Sequence, residues 1–365
     1  MSKFRIILIA LLAAWATPAF AQQAADTVAP ETTVRSLAAP AERKLVAGEF
    51  AMIAAANPHA VEAGAQVLAD GGTAADAAVA IQLMLGLVEP QSSGLGGGAF
   101  LLYWDAEEQR LTSFDGRETA PAAASPTLFQ DEAGEPLKFF DAVVGGRSVG
   151  VPGPPKLLAE LHERWGKRPW KSLVQPAIDK ARQGFVVSPR LAGLIARDGD
   201  RLKSDPVARA YFFTGDGEPL QAGATLRNLA YGGILATLAE QGMDAFYSGP
   251  LAEAIVEKVR GAEGNPGVLA LDDLARYRVI EREPVCAAYR QYQVCGMGPP
   301  SSGGLTVGQI LGLLQPFDMG SMSPDDPQTW RLIGDASRLA FADRGHYMAD
   351  SDFVPMPVKG LLDPA

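Results

Sequence analysis

Apolar positions along this chain recur at helical spacing, then at alternating spacing, with sharp punctuation between the runs. Asn57-Pro58 reads as a helix start, with Asn57 as cap and Pro58 at the first helical position, and Gly71 or Gly72 supplies the stop. Thr73 caps a second helix that runs through residues 77–85, with Asp76 placed to favour its first turn. Residues 100–104 then read as a buried strand and residues 110–115 as its partner. From Pro154 to about Gly264 the pattern is mainly helical, with Ser188-Pro189 as another capped start and Asn265-Pro266-Gly267 as a break. Residues 306–314 and 329–344 are helix candidates around the Pro324-Asp325-Asp326-Pro327 break. Periodicity alone predicts a mixed α/β protein, with no internal repeat and no linker that would divide residues 46–365.

The N-terminus reads differently. Lys3 and Arg5 precede an apolar run from Ile6 to Trp15, and Ala19-Phe20-Ala21 forms a small-x-small cleavage site, so residues 1–21 are expected to be a secretory signal peptide. Residues 22–45, rich in Ala, Pro, Thr and charge, are expected to form a flexible leader. No later stretch is long and apolar enough to span a bilayer, so the expected destination is periplasmic or secreted, with no membrane span after signal removal. Against 32 basic residues stand 42 acidic ones, a net charge of −10, which disfavours nonspecific attraction to nucleic acid or anionic membrane.

The two cysteines fit export. If Arg290-Gln291 form a two-residue hairpin turn, counting outward makes 289/292 and 287/294 hydrogen-bonded pairs, and 288/293 and 286/295 the closer, non-hydrogen-bonded ones. A Cα separation of about 4.5 Å in such a pair lies at the short end of the disulfide range. A bridge between Cys286 and Cys295 is therefore expected in an oxidising compartment, against the alternative of two reduced, buried thiols. The turn lacks the glycine or asparagine that a primed turn prefers. With two cysteines and three scattered histidines, no metal-site spacing is present and no metal or cofactor is expected.

Several motifs invite chemistry. Gly94-Leu95-Gly96-Gly97-Gly98-Ala99 fits G-x-G-x-x-A by letter, but a helix precedes it and a strand follows, the reverse of a dinucleotide-binding unit. Pro299-Pro300-Ser301-Ser302-Gly303-Gly304 offers hydroxyls without a nearby histidine or nucleophile elbow, so it is expected to be a capped loop before a helix starting at Leu305. His59, His162 and His346 are expected to serve local structural roles, with His162, Glu163 and Arg164 on a wet helix face. Just past the second strand, Asp115-Gly116-Arg117-Glu118 sets one arginine beside the glycine-rich turn. Its planar fork of donors satisfies both oxygens of a carboxylate at once, which a lysine cannot do. Glu118 could meet a substrate ammonium, but an adjacent exposed charge is more often solvated.

In chain order, Ala56-Asn57-Pro58-His59-Ala60, Gly71-Gly72-Thr73-Ala74-Ala75-Asp76-Ala77, Gln91-Ser92-Ser93-Gly94-Leu95-Gly96-Gly97-Gly98, Phe114-Asp115-Gly116-Arg117-Glu118-Thr119-Ala120-Pro121 and Ser148-Val149-Gly150-Val151-Pro152-Gly153 are short motifs. Together with Pro299-Pro300-Ser301-Ser302-Gly303-Gly304 and Asp335-Ala336-Ser337-Arg338-Leu339-Ala340-Phe341-Ala342-Asp343-Arg344, they resemble the large-subunit pattern of the γ-glutamyltransferases (γ-glutamyltranspeptidases). The resemblance implies an α+β fold of the N-terminal-nucleophile hydrolase type, an αββα sandwich of two stacked sheets between helical layers. It implies that Arg117 grips the α-carboxylate of a γ-glutamyl donor such as glutathione. It also implies a self-cleaving precursor, in which a small subunit from the same chain brings an N-terminal threonine whose own α-amine serves as general base. The sequence reaches Leu361-Leu362-Asp363-Pro364-Ala365 before any segment resembling that threonine. The expectation is a large-subunit region with no catalytic residue of its own and no activity alone. Cephalosporin or glutaryl acylases share the framework and form the alternative enzyme, and a non-catalytic secreted binding module is the alternative outside enzymes.

Overall fold

The computed structural model describes residues 48 and 51–363, so the signal peptide and leader expected over residues 1–45 lie outside the described residues. The first helix, α1 (Pro58–Ala69), begins as its sequence dictates: Asn57 is extended and its side chain accepts the N–H of His59 at 3.0 Å. Gly71, at φ 83°, turns the chain in the left-handed region where a side chain would be strained. α2 (Ala74–Val88) opens with a reciprocal cap, the Thr73 hydroxyl accepting from Asp76 N–H at 3.1 Å and the Asp76 carboxylate from Thr73 N–H at 2.9 Å.

Four further helices matter for the site: α3 (Phe139–Val143), α4 (Pro154–Trp165), α5 (Trp170–Gln183) and α6 (Pro189–Arg197). The carboxylate of Asp76 is fully buried because it also accepts the N–H groups of Lys167 (3.0 Å) and Arg168 (3.2 Å), just beyond α4. Thr73 completes the joint by donating its hydroxyl to Trp165 O at 2.8 Å. Ala75, Ala77, Val79, Ala80, Leu83 and Leu87 are almost wholly buried as α2 packs against α1, α4 and α5. The remaining helical stretch comprises α7 (Gly199–Lys203), α8 (Pro206–Phe212), α9 (Leu229–Gln241), α10 (Gly249–Arg260) and α11 (Leu271–Arg276), and α9 lies along α5. The break after α10 has a stated job: Asn265 donates to the carbonyls of Asp141 and Val144 at 3.0 and 2.8 Å, pinning α3 and its exit.

The sheet that carries the site is antiparallel, in the order β1-β2-β5, with β1 (Ala99–Asp105), β2 (Arg110–Gly116) and β5 (Ile280–Arg282); β3 (Phe185–Val186) and β4 (Thr225–Leu226) form a separate small pair. Ala99 faces Gly116, and Ser113 faces Arg282. Trp165 of α4 stacks on Tyr103 at 4.1 Å and meets Phe114 edge-on at 5.9 Å, so the 101/103 and 112/114 positions share the covered face. The expectation of a buried β1 needs correction. Its side chains alternate, and the opposite face leaves Leu102 and Trp104 40% and 54% exposed, because among the described residues only one face is roofed by helices.

The cysteine hairpin follows the counted register, β6 (Val285–Tyr289) pairing β7 (Tyr292–Gly296) with Cys286 opposite Cys295, and the two are disulfide-bonded across a Cα separation of 4.0 Å. The missing turn glycine is replaced by strain: Arg290 takes φ 57°. The hairpin packs on α12 (Gly303–Leu314), which α13 (Pro327–Tyr347) covers, and α14 (Val358–Leu361) follows. The expected capped loop before a helix from Leu305 takes a different form. α12 starts at Gly303 rather than Leu305, and Ser302 makes no cap bond; its hydroxyl accepts from Arg344 Nε at 3.0 Å, tying α12 to α13. The face carrying His162 and Arg164 is not simply wet. His162 Nε2 lies 2.9 Å from Arg168 O, and the Arg164 guanidinium covers the Phe114 ring at 4.6 Å while pairing with Glu160 and Glu281.

Candidate functional site

The site is built where β2 ends. Strand geometry carries the chain to Gly116, and Arg117 then leaves the ladder with its backbone held from two sides. Its N–H donates to Asp115 Oδ1 at 3.0 Å, and its carbonyl accepts the Tyr277 hydroxyl at 2.7 Å. Burial pushes the Tyr277 phenol well above its ordinary pKa, with the Asp115 carboxylate nearby acting in the same direction, so the hydroxyl keeps its proton and its bond.

The side chain of Arg117 is 56% exposed and is aimed by two neighbours. Glu118 Oε2 accepts from Nε at 3.1 Å, and the guanidinium lies 5.4 Å from the Phe100 ring centre. Glu118 is thus engaged rather than merely solvated. No hydrogen bond from a described residue reaches Nη1 or Nη2 of Arg117. A guanidinium with both Nη groups unengaged has the paired, coplanar donors that a carboxylate can receive end-on.

Two clefts meet at this point. One, of about 430 Å³, is lined by Gly96, Arg117, Glu118, Thr119, Ser148, Val149 and Gly150. The other, of about 500 Å³, runs under the 90–98 turn past Gln82, Gln91, Ser92 and Ser93, and shares Gly96 and Glu118 with the first. Glycine is required where the chain packs on the arginine loop: a Cβ on Gly98, in the wall of the second cleft, would sit 2.7 Å from Arg117 Cα, and one on Gly153, before α4, would sit 1.8 Å from Gly116 O. The turn leads from α2 into β1, the order that opposes nucleotide binding. Its start is anchored by the buried Glu89, which accepts from Asn57 Nδ2 at 2.8 Å and from Arg190 Nη1 at 3.0 Å, while Arg190 Nη2 donates to Ser92 Oγ at 3.2 Å.

Of the residues singled out from sequence, Arg117, Glu118 and the two glycine-rich segments converge. Cys286 and Cys295 lie in the separate hairpin, and the histidines lie apart from the clefts: His59 beside Glu62 at 3.9 Å, His346 edge-on to Tyr347. Among the described residues no group of three His, Cys, Asp or Glu side chains could hold a metal ion. Asp115, Tyr277 and Arg282 were missed as site residues. Asp115 stood inside the motif, and its place next to Phe114 on an alternating strand was the available signal. Tyr277 and Arg282 lie 160 and 167 residues away from the backbone or carboxylate they hold, and no local pattern marks such pairings.

The sequence pattern described as Gamma-glutamyltranspeptidase matches residues 60–365. The chain is 38% identical over 317 residues to the glutathione hydrolase proenzyme of Bacillus subtilis (strain 168), an alignment that takes in 87% of this chain and 53% of the relative. It is 37% identical over 329 residues to the acylase ACY 1 proenzyme of Pseudomonas sp. (strain SE83), covering 89% of this chain and 58% of the relative. The crystal structure of Helicobacter pylori γ-glutamyltranspeptidase superposes with a TM-score of 0.83 at 31% identity, over 88% of this chain and 90% of that one. This chain spans about half the length of the curated relatives it matches. With the family pattern running through both glycine-rich segments, the Arg117 loop and α12, the chain belongs to the γ-glutamyltranspeptidase family and has its N-terminal-nucleophile hydrolase fold.

Proposed function

We propose that residues 46–365 form the donor-binding part of a γ-glutamyltransferase and glutathione hydrolase, with Arg117 as the seat of the donor's α-carboxylate. The observation that carries this reading is the state of the Arg117 side chain, which lines a cleft, is braced at Nε by Glu118 and has no hydrogen bond from Nη1 or Nη2 to a described residue. The chemistry is amide cleavage: the hydroxyl of a threonine supplied by a second segment of the same precursor gives its proton to its own α-amine and attacks the γ-carbonyl, the C–N bond breaks and the amine leaves with that proton, and water or an acceptor amine then cleaves the ester and frees the threonine hydroxyl. This chain's share is position. Fixing the carboxylate end of the donor sets the scissile carbonyl at a constant distance from Arg117, which lowers the entropic part of the barrier. We further propose a processed two-subunit enzyme exported by the signal sequence of residues 1–21 and acting in the periplasm or outside the cell.

The likeness to an acylase supports a second reading. Glutaryl and γ-glutamyl groups carry a carboxylate at the same distance from the scissile carbonyl and differ by the α-amine. Arg117 suits both, so what separates them must lie in groups that meet the ammonium. Assay of the full-length precursor with γ-glutamyl and glutaryl anilides decides between the two, and faster turnover of the glutaryl compound would favour the acylase.

The site itself is tested by Arg117→Ala and Arg117→Lys in the full-length precursor. A charge-assisted hydrogen bond contributes about 1.5–3 kcal/mol, so Ala should lower kcat/KM for γ-glutamyl anilide about 10- to 150-fold. Lys should recover part, because it keeps charge without the fork. Self-cleavage, which involves no donor, should continue on a denaturing gel. A self-cleaved Arg117→Ala enzyme with wild-type kcat/KM would refute the assignment.

A further inference from the structure

The bracing of Arg117 continues into a part of the chain far from both clefts. Asp115 is buried at 7% exposure and uses both oxygens: Oδ1 for Arg117 N–H, Oδ2 for Arg282 Nε at 2.8 Å. Arg282, on β5, has a side chain only 13% exposed. Its remaining fork is filled by Asp352, Nη1 to Oδ1 at 2.8 Å and Nη2 to Oδ2 at 2.9 Å, with Ser351 Oγ also 3.3 Å from Nη1. Four of the five guanidinium N–H groups are therefore engaged within the protein, at all three nitrogens, and no donor pair is free for substrate. It works as a clamp, holding Asp115 on one side and the segment after α13 on the other.

We infer that Arg282, with Asp352, is a positioning residue for donor recognition: through Asp115 it sets where Arg117 leaves the sheet, and so where the carboxylate seat lies. The inference rests on the proposed role of Arg117. The physical case is that Asp115 cannot hold two partners in fixed directions unless the second is itself fixed. Without Arg282 its carboxylate would be buried beside a backbone N–H alone and would turn toward water. Lysine cannot replace the clamp, since one ammonium cannot meet Asp115 at Nε geometry and chelate Asp352 at once. Asp352, 46% exposed, can be altered without leaving a buried charge at its own position.

The experiment uses the full-length precursor and two donors, γ-glutamyl anilide and γ-aminobutyryl anilide, which is the same compound without its α-carboxylate. The quantity read is the ratio of their kcat/KM values, which reports carboxylate recognition separately from general damage. Arg282→Lys and Asp352→Asn should lower that ratio about tenfold, through KM for the γ-glutamyl donor. If either variant weakens both donors alike, Arg282 is only structural and the inference is overturned; wild-type ratios in both variants overturn it as well. Arg117→Ala is measured alongside. If Arg117→Ala leaves the ratio at its wild-type value, the carboxylate-seat reading fails; if it collapses the ratio while Arg282→Lys does not, only the inference about Arg282 fails.

Discussion

In the proposed carboxylate seat, Arg117 has its backbone held at both N–H and carbonyl and no hydrogen bond from Nη1 or Nη2 to a described residue. The Tyr277 hydroxyl supplies one of the two backbone anchors and has a pH signature of its own. Burial raises its pKa in the folded protein, as it does for Tyr231 and Tyr247. The folded state therefore holds these protons more tightly than the unfolded chain, whose phenols titrate near pH ~10. Their contribution to stability is complete below that pH and is lost as pH rises above it. Urea titrations should show stability falling steeply above pH ~10, with the slope reduced in Tyr277→Phe, which should also cost about 1 kcal/mol at neutral pH. An unaltered alkaline slope in that variant would show that the phenol is not held protonated by folding.

At the scale of elements, caps and joints decide where the site sits. Both helix starts read from Asn57-Pro58 and Thr73-Asp76 are present, because capping is a local contest between a side chain and a few backbone N–H groups. The cysteine register was legible for a similar reason, since strand pairing counts outward from a turn. Legibility ended where partners are far apart in sequence. Asp76 read as an acidic residue favouring the first turn of α2, yet it also holds the N–H groups of Lys167 and Arg168, and nothing near residue 76 announces them. Likewise the 299–304 segment read as a capped loop, whereas the Ser302 hydroxyl makes no cap bond and accepts from Arg344 on α13. The double duty of Asp76 makes a firm prediction. Asp76→Ala orphans three buried or half-buried N–H groups and should cost about 2–4 kcal/mol, more than an ordinary cap loss of about 1 kcal/mol. Chemical denaturation measures it, and a loss no greater than that of an isolated cap would show the joint to α4 to be idle.

For the molecule as a whole, the fold class and the Arg117 loop could be read from the order of short motifs, whereas the clamp that aims Arg117 could not. One face of β1 leaves Leu102 and Trp104 outward, and the chain spans about half the length of the curated relatives it matches. On the proposed division of labour, residues 46–365 alone should not turn over γ-glutamyl anilide above a buffer blank, and co-expression with the remaining precursor segment should restore a processed pair with activity. Turnover by the isolated chain would place the nucleophile within it and contradict that division. The most direct measurement is the crystal structure of the processed enzyme with the product L-glutamate bound. The account predicts both α-carboxylate oxygens on Nη1 and Nη2 of Arg117 at about 2.7–2.9 Å, with Glu118 still on Nε. Glutamate bound with its α-carboxylate on any other group, and the Arg117 fork left open, would contradict it.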